Sequence, residues 1–456
     1  MKTTDAQHSK FVKMTTEPVS RLVTQLAVPS IVSMLVSGIY NLADTFFVGQ
    51  LNTQSVAALG IVFSYMTLVQ AIAFFFGQGS GNYISRALGR QEVDQAGKMA
   101  SVGLVSSVLT GCVLAALGFV MMRPVLGFLG STATIMPYAC DYFTYILLGT
   151  PFIMGCFTMN NQMRQQGNAS LAMIGILSGA ALNIVLDPLL IFGFEMGIRG
   201  AGLATMLSQC VAFVLMIRLT CLHGGLPFKL SQFRPTLTRY REIAAGGLPS
   251  LARQSLMSIS TICLNLMASN YGDEAIAAFS VVGRVAMLAG AAMIGYGQGF
   301  QPVCGFNYGA GKYDRVRAAF WHSLRVLTFY ALLLGIAGYV FASVVVSWFV
   351  TDDMRVVEIG SDALRYQCLS FPLSGFIVMS NMFLQNIRRT VPAVIMASAR
   401  HGIFFLPAMF MGHWLLGLQG LEMSQAVADL VSFFLAIPLA LSALRGLDKS
   451  NHADQH

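Results

Sequence analysis

The chain has 456 residues, of which 55% are hydrophobic and only 11% charged, with a mean hydropathy of +0.66. A chain this apolar is not a water-soluble globule, and the composition defines a polytopic membrane protein. Its net charge of +8 is accounted for by membrane topology and anionic lipid headgroups, so no nucleic-acid partner is required.

Crossing a hydrocarbon core of ~30 Å takes roughly 20 apolar residues. Stretches of that kind fall near 22–48, 56–79, 98–122, 138–160, 171–193 and 199–221, and again near 243–270, 275–299, 319–349, 360–383, 393–416 and 420–444. The expected fold is therefore all-α, with twelve transmembrane helices and no separate soluble domain. The first stretch carries Pro29 and Asp44 and lacks a small-x-small cleavage site, so it reads as a retained helix. Lys and Arg concentrate in alternate connections: Arg86, Arg90 and Lys98; Arg164; Arg218 through Arg241; Lys312, Arg315 and Arg317; Arg388 and Arg389. The opposite connections hold only Arg123, Arg199 and Arg355, which predicts that both termini are cytoplasmic. The eight cysteines are scattered without a CxxC pair and read as packing residues.

The two halves of the chain repeat. Pro29-Ser30 matches Pro249-Ser250, Gly77-Gln78-Gly79 matches Gly297-Gln298-Gly299, and Gly197 and Gly200 match Gly417 and Gly420, all at one shift of 220. The repeating unit holds six helices. An even number gives both copies the same orientation, so the repeats are parallel about an axis normal to the membrane, an arrangement of carriers rather than channels. The expected organisation is a cytoplasmic tail over 1–20, an amino-terminal lobe over 21–221, a linker over 222–241, a carboxy-terminal lobe over 242–445 and a cytoplasmic tail over 446–456. The linker is marked by Gly224, Gly225, Pro227 and Pro235.

Two carboxylates fall inside the apolar spans, and an ionisable group there is a functional candidate by default. Asp187 stands in Asn183-Ile184-Val185-Leu186-Asp187-Pro188. Asn183 is one helical turn before it on the same face. Pro188 has no N–H, so it frees the carbonyl of Ile184 as an oxygen ligand or bends the helix. Carboxylate, amide and carbonyl oxygens suit a hard cation or a shuttled proton; an acid and amide bonded to neighbouring backbone is the competing structural reading. Asp44 ends the first span with Tyr40 and Asn41 on its face. Both acids sit toward the extracellular ends of their helices, and two neighbouring carboxylates in an apolar setting repel, so that one can take up a proton. The competing reading of Asp44 is an acid that reaches the interface. Pro29 lies in the same helix as Asp44 and leaves the carbonyl of Gln25 free, a bend that can serve as a hinge, as can Pro188. Pro249 repeats Pro29, so shared architecture explains that pair equally well.

At the shift of 220 the acids meet Leu264 and Pro407. The second half instead carries Arg253, Arg284, Arg325, Arg365 and Arg400, with Asp362 and Asp429 as available partners. The 26 methionines and 32 phenylalanines suit a cavity for amphipathic compounds, although membrane helices are rich in both. No HExxH, Walker A or GxSxG sequence is present, which argues against an enzyme, and no cofactor is implied.

The stretches Asn41-Leu42-Ala43-Asp44-Thr45-Phe46-Phe47-Val48-Gly49, Ile84-Ser85-Arg86-Ala87-Leu88-Gly89, Asn183 through Gly193, and Asn307-Tyr308-Gly309-Ala310-Gly311-Lys312 resemble the multidrug and toxic compound extrusion (MATE) family, over residues 20 to 445. Within it the chain looks like the DinF-type and MepA-like branches of the MOP superfamily. The resemblance implies a two-lobed multidrug efflux transporter of the plasma membrane, working as a monomer by alternating access, and exporting drug-like organic cations in exchange for H+ or Na+. It further implies an ion or proton site, including a Na+ site, at Asp44, Asn183, Asp187 and Thr205. By the same resemblance Tyr40, Asn41, Asn160 and Gln209 line the cavity. The NorM-type branch adds a Glu in the seventh helix; Leu248 to Met267 holds none, so that branch's carboxy-lobe Na+ site is not implied. Two other readings compete. A flippase for an anionic lipid-linked precursor is motivated by the five arginines, and an intramembrane aspartyl protease by the two acids, although its GxGD motif is absent.

Overall fold

The structure, a computed structural model, describes residues 2–222, 225–226, 228–350 and 353–453, with side chains between 7 and 447. Gly224 and Pro227 of the expected linker lie outside the described residues. Sixteen α-helices follow in chain order: α1 Lys2–Thr16, α2 Val19–Gly49, α3 Thr53–Gly89, α4 Val93–Val120, α5 Met122–Phe128, α6 Met136–Gln165, α7 Ala169–Pro188, α8 Ile198–Leu222, α9 Leu237–Ala268, α10 Asp273–Gly309, α11 Tyr313–Val340, α12 Ala342–Ser347, α13 Met354–Asn386, α14 Thr390–Ser398, α15 Phe405–Leu416 and α16 Leu418–Ala453. No strand occurs among the described residues. Among the described residues eleven spans are long and apolar enough to cross a membrane, with α14 and α15 joined as one. The twelfth is α9, made less apolar by Arg239, Arg241, Glu242 and Arg253.

Helix boundaries obey local rules and repeat with the sequence. Asn52 caps α3 by accepting from the Ser55 amide at 2.7 Å, and Asp353 caps α13 by accepting from the Arg355 amide at 2.9 Å. The pairs α3/α10 and α4/α11 begin and end at positions 220 apart, and the short helices Met122–Phe128 and Ala342–Ser347 begin at the same shift. The helix α2 passes through Pro29 without interruption. Pro188 behaves differently: the chain continues as a π-helix over Leu189–Gly193, with the Phe194 amide reaching back to the Leu189 carbonyl at 2.9 Å. The helix therefore does not end at the proline but runs on as a wider turn. A second π-helix, Ala399–Ile403, joins α14 to α15.

By packing, the chain divides into two units, one of residues 1–17 and 32–247, the other of 18–31 and 248–456. Of the three switches of unit, one falls just before α2, between residues 17 and 18, and the other two fall inside the long helices α2 and α9, within three residues of Pro29 and Pro249. In the first unit, α3, α6 and α8 form the core, with Tyr65 and Phe143 edge-on at 4.8 Å. There the start of α9 crosses α3 at backbone distance. A Cβ on Gly79 would lie 2.2 Å from the Ile243 carbonyl oxygen, and one on Gly247 2.2 Å from that of Phe75. Only glycine permits this approach. The buried ion pair Arg86–Glu242, at 3.3 Å, ties the same two helices. The second unit is organised by α13, which packs on α10, α11 and α16.

Candidate functional site

Two buried acids of the first unit, Asp44 and Asp187, belong to one polar cluster at the end of α2, α6, α7 and α8. Asp44 is 6% exposed and Asp187 is fully buried, as are Asn183 and Thr205 to within 1%. The Asn183 amide nitrogen donates to Asp187 Oδ1 at 3.2 Å and faces Thr205 Oγ1 at 3.5 Å. The i, i+4 spacing on α7 therefore acts as expected, with the amide laid over the acid. Asp44 Oδ2 accepts from the hydroxyl of Tyr142 at 3.4 Å. The Tyr40 and Tyr142 hydroxyls both reach the Thr205 side chain, and Asp44 and Asp187 lie within each other's field. The cluster is continuous from α2 to α8.

Its donors do not satisfy its acceptors. Asp44 Oδ1, Asn183 Oδ1 and Asp187 Oδ2 are buried without a hydrogen-bond partner, as is Ser208 Oγ one turn beyond Thr205. Buried polar atoms cost free energy when left unpaired, so three such oxygens on two acids and an amide in one cluster make it the candidate functional site of the first unit. Oxygen-only donors of this kind suit a hard, weakly selective ion such as Na+ and are poor ligands for a transition metal. Among the described residues no group of three or more His, Cys, Asp or Glu forms a metal cluster.

A cleft opens beside this cluster, between α2, α3, α6, α7 and α8. Tyr40, Asn41 and Gln209 line it with Phe63, Met66 and Phe157. Tyr40 belongs to both places, lining the cleft and touching Thr205. Asn41 Nδ2 donates to the Ser37 carbonyl of its own helix at 2.8 Å, which leaves its oxygen available. Asn160 is not among the lining residues: it is 4% exposed and donates to the Ala172 carbonyl at 3.1 Å. Asn381 does the same to Ala393 at 2.8 Å in the second unit, so this bond pins the fourth and tenth spans to the helices that follow them. Sequence reasoning missed Tyr142 and Ser208. The signal for Tyr142 was a phenol in the apolar fourth span, an amphipathic group that needs a partner when buried.

The arginines of the second half are mostly accounted for. Arg365 pairs with Asp362 at 3.0 Å and Arg400 with Asp429 at 2.8 Å, while Arg284 and Arg325 are exposed. Arg253 is partly buried with Nε unpartnered.

Two copies of a six-helix membrane unit, with two acids buried in one of them beside a cleft, are the features of a membrane transporter. The MatE family model matches the chain twice, over residues 29–189 and 249–411, and the chain belongs to the MATE family. The double match is the duplication seen in the sequence. It is a transporter and not an enzyme. Among curated proteins it is similar to the multidrug export protein MepA of Staphylococcus haemolyticus, 27% identical over 421 residues that cover 91% of this chain and 92% of the relative. MepA of Staphylococcus aureus (strain MRSA252) is 26% identical, covering 90% and 91%. A solved MATE structure in complex with MaL6 superposes with a TM-score of 0.90 at 24% identity, covering 96% of this chain and 99% of the other. The Vibrio cholerae MATE transporter VcmN gives 0.89 at 21% identity, covering 94% and 97%. These structural likenesses establish the fold.

Proposed function

We propose that this transporter exports amphipathic or cationic organic compounds across the cell membrane by alternating access, in exchange for H+ or Na+. In this reading Asp44, Asn183, Asp187 and Thr205 form the coupling site, and the cleft lined by Tyr40, Asn41 and Gln209 receives the cargo. The observation that carries it is the set of orphaned acid and amide oxygens buried next to that cleft. MepA, a multidrug exporter by name, is similar along nine-tenths of the chain. Entry of a cation or proton would satisfy the orphaned oxygens and relieve the repulsion between the acids, and because Tyr40 touches both places the change would be felt in the cleft. The π-turn after Pro188 and the proline bend at Pro29 are the segments proposed to flex. The protein works as a monomer in the bilayer with both termini cytoplasmic. The flippase reading loses most of its motive, since two of its five arginines are neutralised by aspartates and two are exposed.

The test is efflux of ethidium from cells lacking their own exporters. Expression of the wild type is expected to lower accumulated ethidium several-fold. Accumulation equal to that in cells carrying an empty vector, with the protein present in the membrane, would refute export of organic cations.

A further inference from the structure

The positions that line the cleft of the first unit have counterparts in the second, and there several of them are bonded to one another. Three alignments fix the correspondence. Pro151 and Pro372 lie inside α6 and α13 at a shift of 221, and the Asn160–Ala172 and Asn381–Ala393 bonds carry the same shift into α7 and α14. The helices α8 and α16 begin at Ile198 and Leu418, a shift of 220. Ile153, Gly179 and Gln209, all lining the cleft, therefore correspond to Ser374, Arg400 and Asp429.

Those three residues of the second unit are bonded to one another. Arg400 Nε donates to Asp429 Oδ1 at 2.8 Å, and its Nη2 donates to Asp429 Oδ2 at 3.2 Å and to Ser374 Oγ at 2.9 Å. The Ser374 hydroxyl also lies 3.0 Å from Asp429 Oδ2, and Gln425, which stands where the first unit has Thr205, donates to Asp429 Oδ1 at 2.9 Å. Asp429 is wholly buried. A guanidinium bound in this bidentate way is a fixed cation on a fixed counter-ion. In the first unit the same three positions carry a methyl-branched side chain, no side chain and a neutral amide, so both the charge pair and its bulk are missing.

We propose that Arg400, with Asp429 and Ser374, is an internal plug that closes in the second unit the space that the first unit keeps open for cargo, and that Gly179 and Gln209 are the residues that decide which unit binds. The proposal deepens the export reading and rests on it for the identity of the cargo, though not for the plug itself. It makes cargo binding a property of the first unit alone, next to the only acid cluster with unmet oxygens on both acids among the described residues. It also predicts one cargo per chain in spite of the duplicated scaffold.

The plug is tested without cargo by thiol accessibility, read residue by residue with peptide mass mapping on the purified full chain so that the native cysteines are resolved. Ala212, in the cleft, and Ser432 are equivalent at the shift of 220. Ala212→Cys is expected to react with a small cationic methanethiosulfonate at least tenfold faster than Ser432→Cys. Adding Arg400→Gly with Asp429→Gln, which copies the first unit's residues into the second, is expected to raise the Ser432→Cys rate at least tenfold. The reverse graft, Gly179→Arg with Gln209→Asp, is expected to weaken ethidium binding at least tenfold in protein that still elutes as a single species. Equal reactivity of the two thiols in the unaltered background, or a Ser432→Cys rate indifferent to Arg400→Gly/Asp429→Gln, would overturn the plug. Wild-type protein that shows the expected thiol pattern but neither binds nor exports ethidium would sink the export reading and leave the plug standing.

Discussion

The buried pair in the second unit supports a quantitative prediction. If Arg400 is truncated by Arg400→Met, Asp429 keeps three donors, the Ser370 and Ser374 hydroxyls and the Gln425 amide. If Asp429 is replaced by Asp429→Leu, Arg400 keeps a single acceptor, Ser374 Oγ. Breaking one side of a buried ion pair costs about 3–5 kcal/mol, because the surviving charge is stranded. The better-supported carboxylate puts Arg400→Met near ~3 kcal/mol and the stranded guanidinium puts Asp429→Leu near ~5 kcal/mol on that scale. The double variant Arg400→Met/Asp429→Leu removes both charges at once. The serine hydroxyls then fall back on backbone, Ser370 on the Gln367 carbonyl at 2.9 Å and Ser374 on that of Ser370 at 3.4 Å. Exchanging such a pair for apolar side chains is often neutral, so the double variant should stand within ~1–2 kcal/mol of the wild type. Thermal unfolding in detergent at one scan rate gives the ranking: Asp429→Leu lowest, Arg400→Met next, the double variant close to wild type. Additive losses, with the double variant the least stable of the three, would refute the view of these residues as one electrostatic unit.

Glycines of a single helix should separate by what surrounds them. Gly79→Ala forces a methyl to within 2.2 Å of the Ile243 carbonyl, and backbone cannot yield cheaply, so a loss of ~1–3 kcal/mol is expected in the same melting assay; Gly60→Ala, with nothing within 4 Å, should be neutral or stabilising. Lys10 in α1 lies outside the membrane spans, its amine is buried without a partner, and burial pulls its pKa from 10.5 down to about 8. Released α1 therefore binds more protons than docked α1 between those two values, and docking strengthens as pH rises from about 8 to 10.5. Below that window the penalty is complete, so Lys10→Met should slow proteolytic cutting of α1 at pH 7 and converge with wild type at high pH. Tyr142→Phe removes the one hydrogen bond to Asp44 at 3.4 Å and should slow gradient-driven transport several-fold while leaving the melting temperature nearly unchanged.

The fold was legible because its two strongest signals are one-dimensional. Apolar length sets the spans, and the shift of 220 that joins Gly77-Gln78-Gly79 to Gly297-Gln298-Gly299 reappears in the helix boundaries themselves. The Asn183–Asp187 bond was legible for the same reason, since it lies within one helical turn. Contacts between distant helices left no such mark. Tyr142 reaches Asp44 across 98 positions; a phenol in an apolar span signals that a partner is needed, but nothing local in Asp141-Tyr142-Phe143 says which. Pro188 was read as a kink or a freed carbonyl; the chain runs on from it into a π-turn over Leu189–Gly193, which no local residue pattern marks. The change of packing unit inside α2 and α9 follows from backbone approaches such as that at Gly247, which depend on a partner helix that composition does not reveal.

The central claim is that Asp44 and Asp187 couple an ion to export. It is tested most directly in proteoliposomes by driving ethidium transport with an imposed pH gradient or an imposed Na+ gradient, separately, for wild type, Asp44→Asn and Asp187→Asn. The account predicts that one of the two gradients drives the wild type, and that each substitution lowers driven transport at least tenfold while ethidium affinity stays within a few-fold. Undiminished gradient-driven transport in both variants would contradict it.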